Sequence, residues 1–206
     1  MITVHHLSFS RSTRILWLLE ELGLPYELVR HDRNERFKAP AALGSVHPLG
    51  KAPVIQDGDL VLAESAVILS YINARHGGGR FAPEPGTPAF YKHEEWLHYA
   101  ESTAGFPIMS MRIGALTGGV SEGLKSFLAP VLAKTLDHIA GAVRIHPYLM
   151  GEELTLADIQ MSYLIEVAQR TGLLGGHPDL SRYLERLKAR PAFQKAEAAG
   201  GPMTPP

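Results

Sequence analysis

Two serines and an arginine, Ser10-Arg11-Ser12, stand just ahead of an amphipathic run in this 206-residue chain. A third hydroxyl, Ser65, follows Glu64 at the start of another such run. Hydroxyls at helix starts do two kinds of work. They cap the helix by accepting from its unpaired amides. Together with those amides they also make a seat for an anion such as a carboxylate. The chain has no cysteine, which removes disulfides, thiolate metal sites and a cysteine nucleophile together. Thiol chemistry here would need sulfur supplied by a ligand. Ten histidines invite a metal. However, His5 and His6 adjoin on an expected strand and so face opposite sides, and His93 and His98 are poorly spaced for one helical face. No metal is expected.

The patterning says which elements must position these groups. Ile2 to Leu7 is β-branched and apolar, a short strand. Ile15, Leu18, Leu19 and Leu22 recur at helical spacing; Ser10 or Ser12 can cap that helix, and Gly23 with Pro25 stops it. Tyr26, Leu28 and Arg30 alternate as a second strand, so the unit is strand, helix, parallel strand. A short helix is expected over Pro40 to Leu43, then a strand over Ala52-Pro53-Val54-Ile55. Pro53 cannot donate to a ladder, which marks an edge or a kink and suits a cis bond. Asp57-Gly58 signals a hairpin to Leu60-Val61-Leu62, and a helix resumes from Glu64 to Gly77-Gly78-Gly79.

Glycine and proline crowd the stretch from Gly77 to Pro88, which reads as a linker. Strand signals vanish beyond it. Ala89 to about Met111 is helical, with Trp96, Leu97 and Ala100 on one face and a bend at Pro107; Leu124 to Ile139 is a second long helix, interrupted at Pro130. Thr155 and Asp158 can form a capping box for a helix running to about Arg170 that is apolar on most sides, the centre of a bundle. Asp158 is therefore expected to cap, not to catalyse. The domains are expected at 1–78, with a linker at 79–88 and a helical domain at 89–206. The fold class is α/β followed by all-α.

A formal net charge of -1 offers neither a nucleic-acid face nor an acidic tail. No apolar run approaches the roughly 18 residues of a membrane span. The amino terminus lacks the pattern of a secretion signal, so a cytoplasmic protein is expected.

Trp17-Leu18-Leu19-Glu20-Glu21-Leu22-Gly23-Leu24-Pro25, preceded by His5-His6-Leu7 and Ser10-Arg11-Ser12, resembles the opening of bacterial and fungal glutathione transferases. Pro48-Leu49-Gly50-Lys51-Ala52-Pro53-Val54-Ile55 with Leu62-Ala63-Glu64-Ser65 is similar to the same family's glutathione-binding half. Tyr148 to Gly151, Thr155 to Asp158 and Arg190-Pro191-Ala192-Phe193 extend the likeness across nearly the whole chain. The resemblance implies a thioredoxin-like amino-terminal domain, a proline at 53 that is cis, an all-helical second domain and a two-fold dimer.

It also implies a site. Ser65 and its helix would seat a ligand carboxylate, Glu64 would face the ammonium, and Lys51 or Lys38 would meet the other charged end. Ala52, with Pro53 turning the strand, would pair through its backbone with the middle of the tripeptide. A free thiol of pKa about 8.5 is only a few per cent ionised at neutral pH. Lowering it by about 2 units takes about 2.7 kcal/mol, and one hydroxyl donating to a thiolate supplies about 1.5–3 kcal/mol. Ser10, with Ser12 as its rival and Arg11 as added charge, is the expected thiol partner. Phe9, Phe106, Met109 and Arg112 are the expected lining for a hydrophobic electrophile. Other outcomes of the same resemblance are a glutathione-dependent isomerase or dehalogenase, or a noncatalytic glutathione-binding regulator.

Overall fold

The computed structural model describes residues 1–205, in two compact units. One comprises Met1–Phe81 and the chain from Lys188 onward; the other is Ala82–Leu187.

The first unit opens with β1 (Ile2–Leu7), α1 (Thr13–Leu22) and β2 (Tyr26–His31). Ile15, Leu18 and Leu19 are buried as their spacing requires, and so are Leu16 and Trp17, so α1 is enclosed on all sides from Thr13 to Leu19. It stops at Gly23, whose φ of 65° is a left-handed conformation that costs glycine little. The Leu24 amide then reaches back to Leu19 O at 3.0 Å. The short α2 (Ala42–Val46) starts later than the sequence pattern suggests, because Pro40 contributes only the carbonyl that accepts the first turn's bond, from Leu43 N at 3.2 Å. β3 (Val54–Asp57), β4 (Leu60–Ala63) and α3 (Ser65–Arg75) follow. Pro53 therefore precedes its strand instead of interrupting it, and the Ala52-Pro53 bond is cis.

Strand order is β2-β1-β3-β4. β1 and β2 run parallel, with Leu7 opposite His31; β3 is antiparallel to both neighbours, with Val54 paired to His5 on one side and to Ala63 on the other. This register sends the ends of β1, β2 and β4 and the start of β3 to a single edge of the sheet. Every loop that carries a candidate binding group leaves from that edge.

The expected linker begins fastened down. Buried Asn73 takes the Phe81 amide on its side chain at 3.0 Å, and its carbonyl accepts from Gly77 and Gly79. The carboxy-terminal helix α9 (Pro191–Gly200), which the sequence pattern assigns to the helical domain, packs on α1 in the sheet-bearing unit. Phe193 meets Trp17 edge-on at 5.1 Å. Arg190 grips Glu21 with both arms of its guanidinium, at 2.5 and 2.8 Å, while the Trp17 indole donates to the same carboxylate at 2.9 Å. Burial pushes the Glu21 pKa up, but Arg190 and Trp17 outweigh it and hold the carboxyl below its usual value. A depressed folded pKa gives stability that is fully present above the ordinary carboxylate range and lost as pH falls through the lowered folded value. Arg190→Met is thus expected to cost about 2 kcal/mol near neutrality. In urea unfolding that gap should begin to narrow as pH falls below the ordinary glutamate value and close only below the lowered Glu21 pKa; a gap that does not depend on pH would assign the loss to packing.

The second unit is helical: α4 (Pro88–Glu101), α5 (Gly105–Leu116), α6 (Glu122–Ile145), α7 (Leu156–Arg170) and α8 (Pro178–Lys188). A single bent helix over 89–111 does not form. The chain leaves the helix at Ser102, the C-cap of α4, whose φ of -92° and ψ of -82° are not helical and whose amide and hydroxyl both bond back to His98 O, at 3.0 and 2.7 Å. Pro107 then falls in the first turn of α5, where no backbone donor is needed. Pro130 does not end α6 either; it lies on an exposed face, where the carbonyl it leaves unpaired meets water. α7 is buried from Leu156 to Ala168 and forms the centre of the unit. Its start is closed by Asp158, which accepts from the Thr155 amide at 2.9 Å, the Thr155 hydroxyl at 3.0 Å, and both Leu149 N and the Tyr183 hydroxyl at 2.8 Å.

Candidate functional site

The edge where β1, β2 and β4 end is marked by its backbone. Phe9, Phe37 and Glu64, with φ of 54°, 58° and 70°, are the non-glycine residues in the left-handed region among those described, and all three leave from this edge. Such conformations cost roughly 1–3 kcal/mol each and persist where surrounding structure imposes them, often at sites of function. Arg33 supplies part of that restraint. It donates to Ser8 O and Phe9 O at 2.9 Å and to Phe37 O at 3.0 Å, tying the β1–α1 loop to the loop after β2. Its guanidinium lies over the Phe37 ring at 4.5 Å, and Phe37 stacks with Phe9 at 6.0 Å.

The two candidate serines meet inside the β1–α1 loop, 2.6 Å apart. Ser12 holds the N-cap position of α1, but its hydroxyl turns to His6 Nδ1 at 2.8 Å and accepts from Leu7 N at 3.1 Å instead of capping. Ser10 Oγ lies 2.8 Å from Leu7 O and accepts from Ser12 N at 3.2 Å. Both are buried, Ser12 at 0% and Ser10 at 6% accessible, so of the two only Ser10 keeps any exposed surface. Arg11 is half-buried between them.

The second element is the start of α3. Ser65 is buried there beneath exposed Glu64, and the first amides of the helix have no intrahelical acceptor. Arg14, wholly buried on α1, donates to Ser65 Oγ at 3.1 Å. An oxygen that accepts a charged hydrogen bond becomes a better donor itself, and the guanidinium adds positive charge to the positive end of the helix. Lys38 is exposed in the loop after β2, where Asn34 Oδ1 holds its amide at 3.0 Å. Lys51 is exposed and Ala52 half-buried just before β3. By register, Ala52 and Pro53 lie beside both the end of β1 and the Glu64-Ser65 turn. The sheet edge thus brings together Phe9, Ser10, Arg11, Ser12, Ala52, Pro53, Glu64 and Ser65. Phe106, Met109 and Arg112 belong to the other unit, on α5, where Phe106, Ile113 and Leu116 are each more than half exposed.

His6, Arg14 and Arg33 went unremarked as site residues in the sequence. A signal existed for one of them. Arg14 sits four residues before Leu18 on the apolar stripe of α1, where a charge requires a partner.

Known proteins place the arrangement. Residues 1–74 match the glutathione S-transferase N-terminal domain and residues 100–191 its C-terminal domain. Glutathione S-transferase 3 of Schizosaccharomyces pombe is 33% identical over 210 residues, covering 95% of this chain and 86% of its own. This chain belongs to the glutathione S-transferase family. Glutathione S-transferase 3 of Zea mays is 31% identical, covering 94% of this chain and 90% of its own. A glutathione S-transferase crystal structure from Actinobacillus pleuropneumoniae is similar at a TM-score of 0.88 and 35% identity, covering 97% of this chain and 93% of its own. The glutathione transferase fold accounts for both units, the sheet with its helices and the helical remainder. Among the described residues no helix is long and apolar enough to cross a membrane, and no group of three His, Asp or Glu side chains is placed to hold a metal.

Proposed function

We propose that this transferase binds glutathione along the sheet edge and presents its sulfur, as the thiolate, to an electrophilic carbon or a peroxide oxygen. The amides of α3 and the Ser65 hydroxyl take the glutamyl carboxylate, and Glu64 faces the neighbouring ammonium. The backbone of Ala52 pairs with the middle of the tripeptide, and Lys51 or Lys38 meets the remaining carboxylate. Ser10 donates to the sulfur, with Arg11 adding positive charge. The observation that carries this reading is the Arg14–Ser65 bond at 3.1 Å. Burying an arginine whole is expensive unless it has work to do, and here it strengthens an anion seat at a helix start.

For the hydrophobic acceptor, the exposed apolar side chains along α5 support the strip of Phe106, Met109 and Arg112. A two-fold dimer fits the exposure of Val67 and Tyr91, large apolar groups that a lone chain would leave in water. A cytoplasmic setting suits a reaction that consumes a free thiol.

Calorimetry tests the anion seat. Ser65→Ala is expected to weaken glutathione binding by about tenfold, the worth of one charge-assisted hydrogen bond, while leaving the affinity for a hydrophobic acceptor alone. Unchanged glutathione affinity would remove Ser65 from the site.

A further inference from the structure

The thiol proton has to go somewhere, and the β1–α1 loop contains a path for it. Gly200 O can only accept a hydrogen bond, so His6 Nε2, 2.8 Å away, must carry a proton. In the neutral ring the lone pair is then at Nδ1, 2.8 Å from Ser12 Oγ, and Ser12 must donate to it. With its proton spent on His6, Ser12 has none to give across the 2.6 Å contact, so any proton there belongs to Ser10. Ser10 has one proton and two acceptors in reach, Leu7 O at 2.8 Å and Ser12 Oγ at 2.6 Å; with that proton turned to Ser12 the donors run one way, from Ser10 to Ser12 to His6 to the carbonyl of Gly200.

We infer that His6 is the acceptor of the glutathione proton, reached through Ser10 and Ser12 and held in register by the carboxy-terminal helix. This rests on Ser10 being the thiol's partner. The transfer balances without any other reagent. The S–H bond breaks as its proton passes to Ser10 Oγ, the Ser10 proton passes to Ser12, and the Ser12 proton passes to His6 Nδ1. Each serine ends neutral, the sulfur carries the negative charge and His6 the positive one. Every bond along the path is kept in the end state, and Ser10 forgoes its bond to Leu7 O in favour of the sulfur. Ser10 now donates outward to the thiolate, Ser12 donates to Ser10, and both N–H groups of the imidazolium are taken, by Ser12 Oγ and Gly200 O. Ser10 therefore turns toward sulfur only as the sulfur ionises.

The surroundings hold the resting state neutral. Burial lowers the His6 pKa most, Arg30 and His31 from β2 lower it further, and the Gly200 bond and Asp32 oppose them. Arg30 is itself engaged by Ala199 O, so two successive carbonyls of α9 are tied to neighbouring strands. Gly200 has to be a glycine for this approach. A Cβ there would lie 2.8 Å from His6 Cε1 and 2.6 Å from Leu16 Cδ1.

Counting protons tests the relay. Glutathione is titrated into the intact protein at neutral pH in two buffers of different ionisation enthalpy, and thiolate is read by ultraviolet absorbance on the same samples. S-methylglutathione, which lacks the thiol, supplies the background. Thiolate is expected to form with less than half a proton released to buffer per site. One full proton released per thiolate in the unaltered protein overturns the relay and leaves the Ser10 assignment standing. His6→Gln keeps a donor for Gly200 and His6→Asn keeps an acceptor for Ser12, but neither side chain is basic. In whichever variant folds, the bound thiol should titrate about one unit higher, tenfold less thiolate at fixed pH. A folded variant that still retains the proton also overturns it. Thiolate undiminished in Ser10→Ala is a different result: it removes Ser10 from the sulfur, and the relay falls with it.

Discussion

Ser10→Ala is expected to reduce conjugation of a standard chloronitrobenzene at least about tenfold, with glutathione affinity changed less than about twofold. The size follows from the anion that is lost. A hydroxyl donating to a thiolate is worth about 1.5–3 kcal/mol, which is roughly one to two pKa units of the thiol, and the rate at neutral pH follows the thiolate fraction. The asymmetry follows from the topology. Ser10 follows the end of β1, whereas the proposed carboxylate seat is at Ser65 and the proposed backbone pairing at Ala52, so on that reading most binding contacts survive the change. Alanine also deprives Ser12 N of its acceptor at 3.2 Å and Leu7 O of a donor at 2.8 Å, so the rate must be taken per folded molecule. Ser12→Ala is the control. Its hydroxyl accepts from Leu7 N and donates to His6, so the variant should lose stability as well as rate. A loss confined to Ser12→Ala, with Ser10→Ala fully active, would move the thiol contact to Ser12.

How much of this could be read from the chain alone depended on how far apart the partners lie. The first helix and its stop were legible because Ile15, Leu18, Leu19, Leu22 and Gly23 state them within nine consecutive residues. The sheet edge followed from strand, helix, strand, hairpin order, and the start of α3 at Glu64-Ser65 from its place before an apolar run. Proline gave less guidance. Pro107 and Pro130 were expected to deform helices, yet one opens a helix and the other sits on a solvent-facing side. The real break comes at Ser102, the C-cap of α4, whose backbone turn no apolar period displays. Pairings across the chain were out of reach for the same reason: His6 meets Gly200 across 194 positions and Glu21 meets Arg190 across 169. A helix that closes on the first unit after the whole helical unit has intervened leaves no local trace of its destination. Arg14 was half-visible, a charge on an apolar stripe whose partner, Ser65, lay 51 residues away.

The largest effect on stability is expected at Asp158, a buried acid whose hydrogen bonds close the start of α7. Asp158→Ala should lower unfolding free energy by about 3–5 kcal/mol, and the melting temperature by roughly 10 °C or more, while the rate per folded molecule stays unchanged. The carboxylate is wholly buried, and burial drives its pKa above the usual value against the pull of its four donors. Those donors make the deletion costly. Removing the acceptor strands the Leu149 and Thr155 amides and the Tyr183 hydroxyl together, with Tyr183 itself fully buried. Each stranded donor costs about 1–3 kcal/mol, and partial relaxation keeps the sum below three full penalties. The bonds also join three segments of the second unit, the turn at Leu149, the start of α7 and the middle of α8, so the loss should be cooperative and not confined to one frayed turn. Asp158→Asn retains one acceptor oxygen but turns an N–H₂ group toward donors, and should fall between wild type and alanine. Calorimetric melting with turnover measured on the soluble fraction separates the roles. An Asp158→Ala protein that melts normally but turns over tenfold more slowly would make the carboxylate part of the chemistry instead of the bundle.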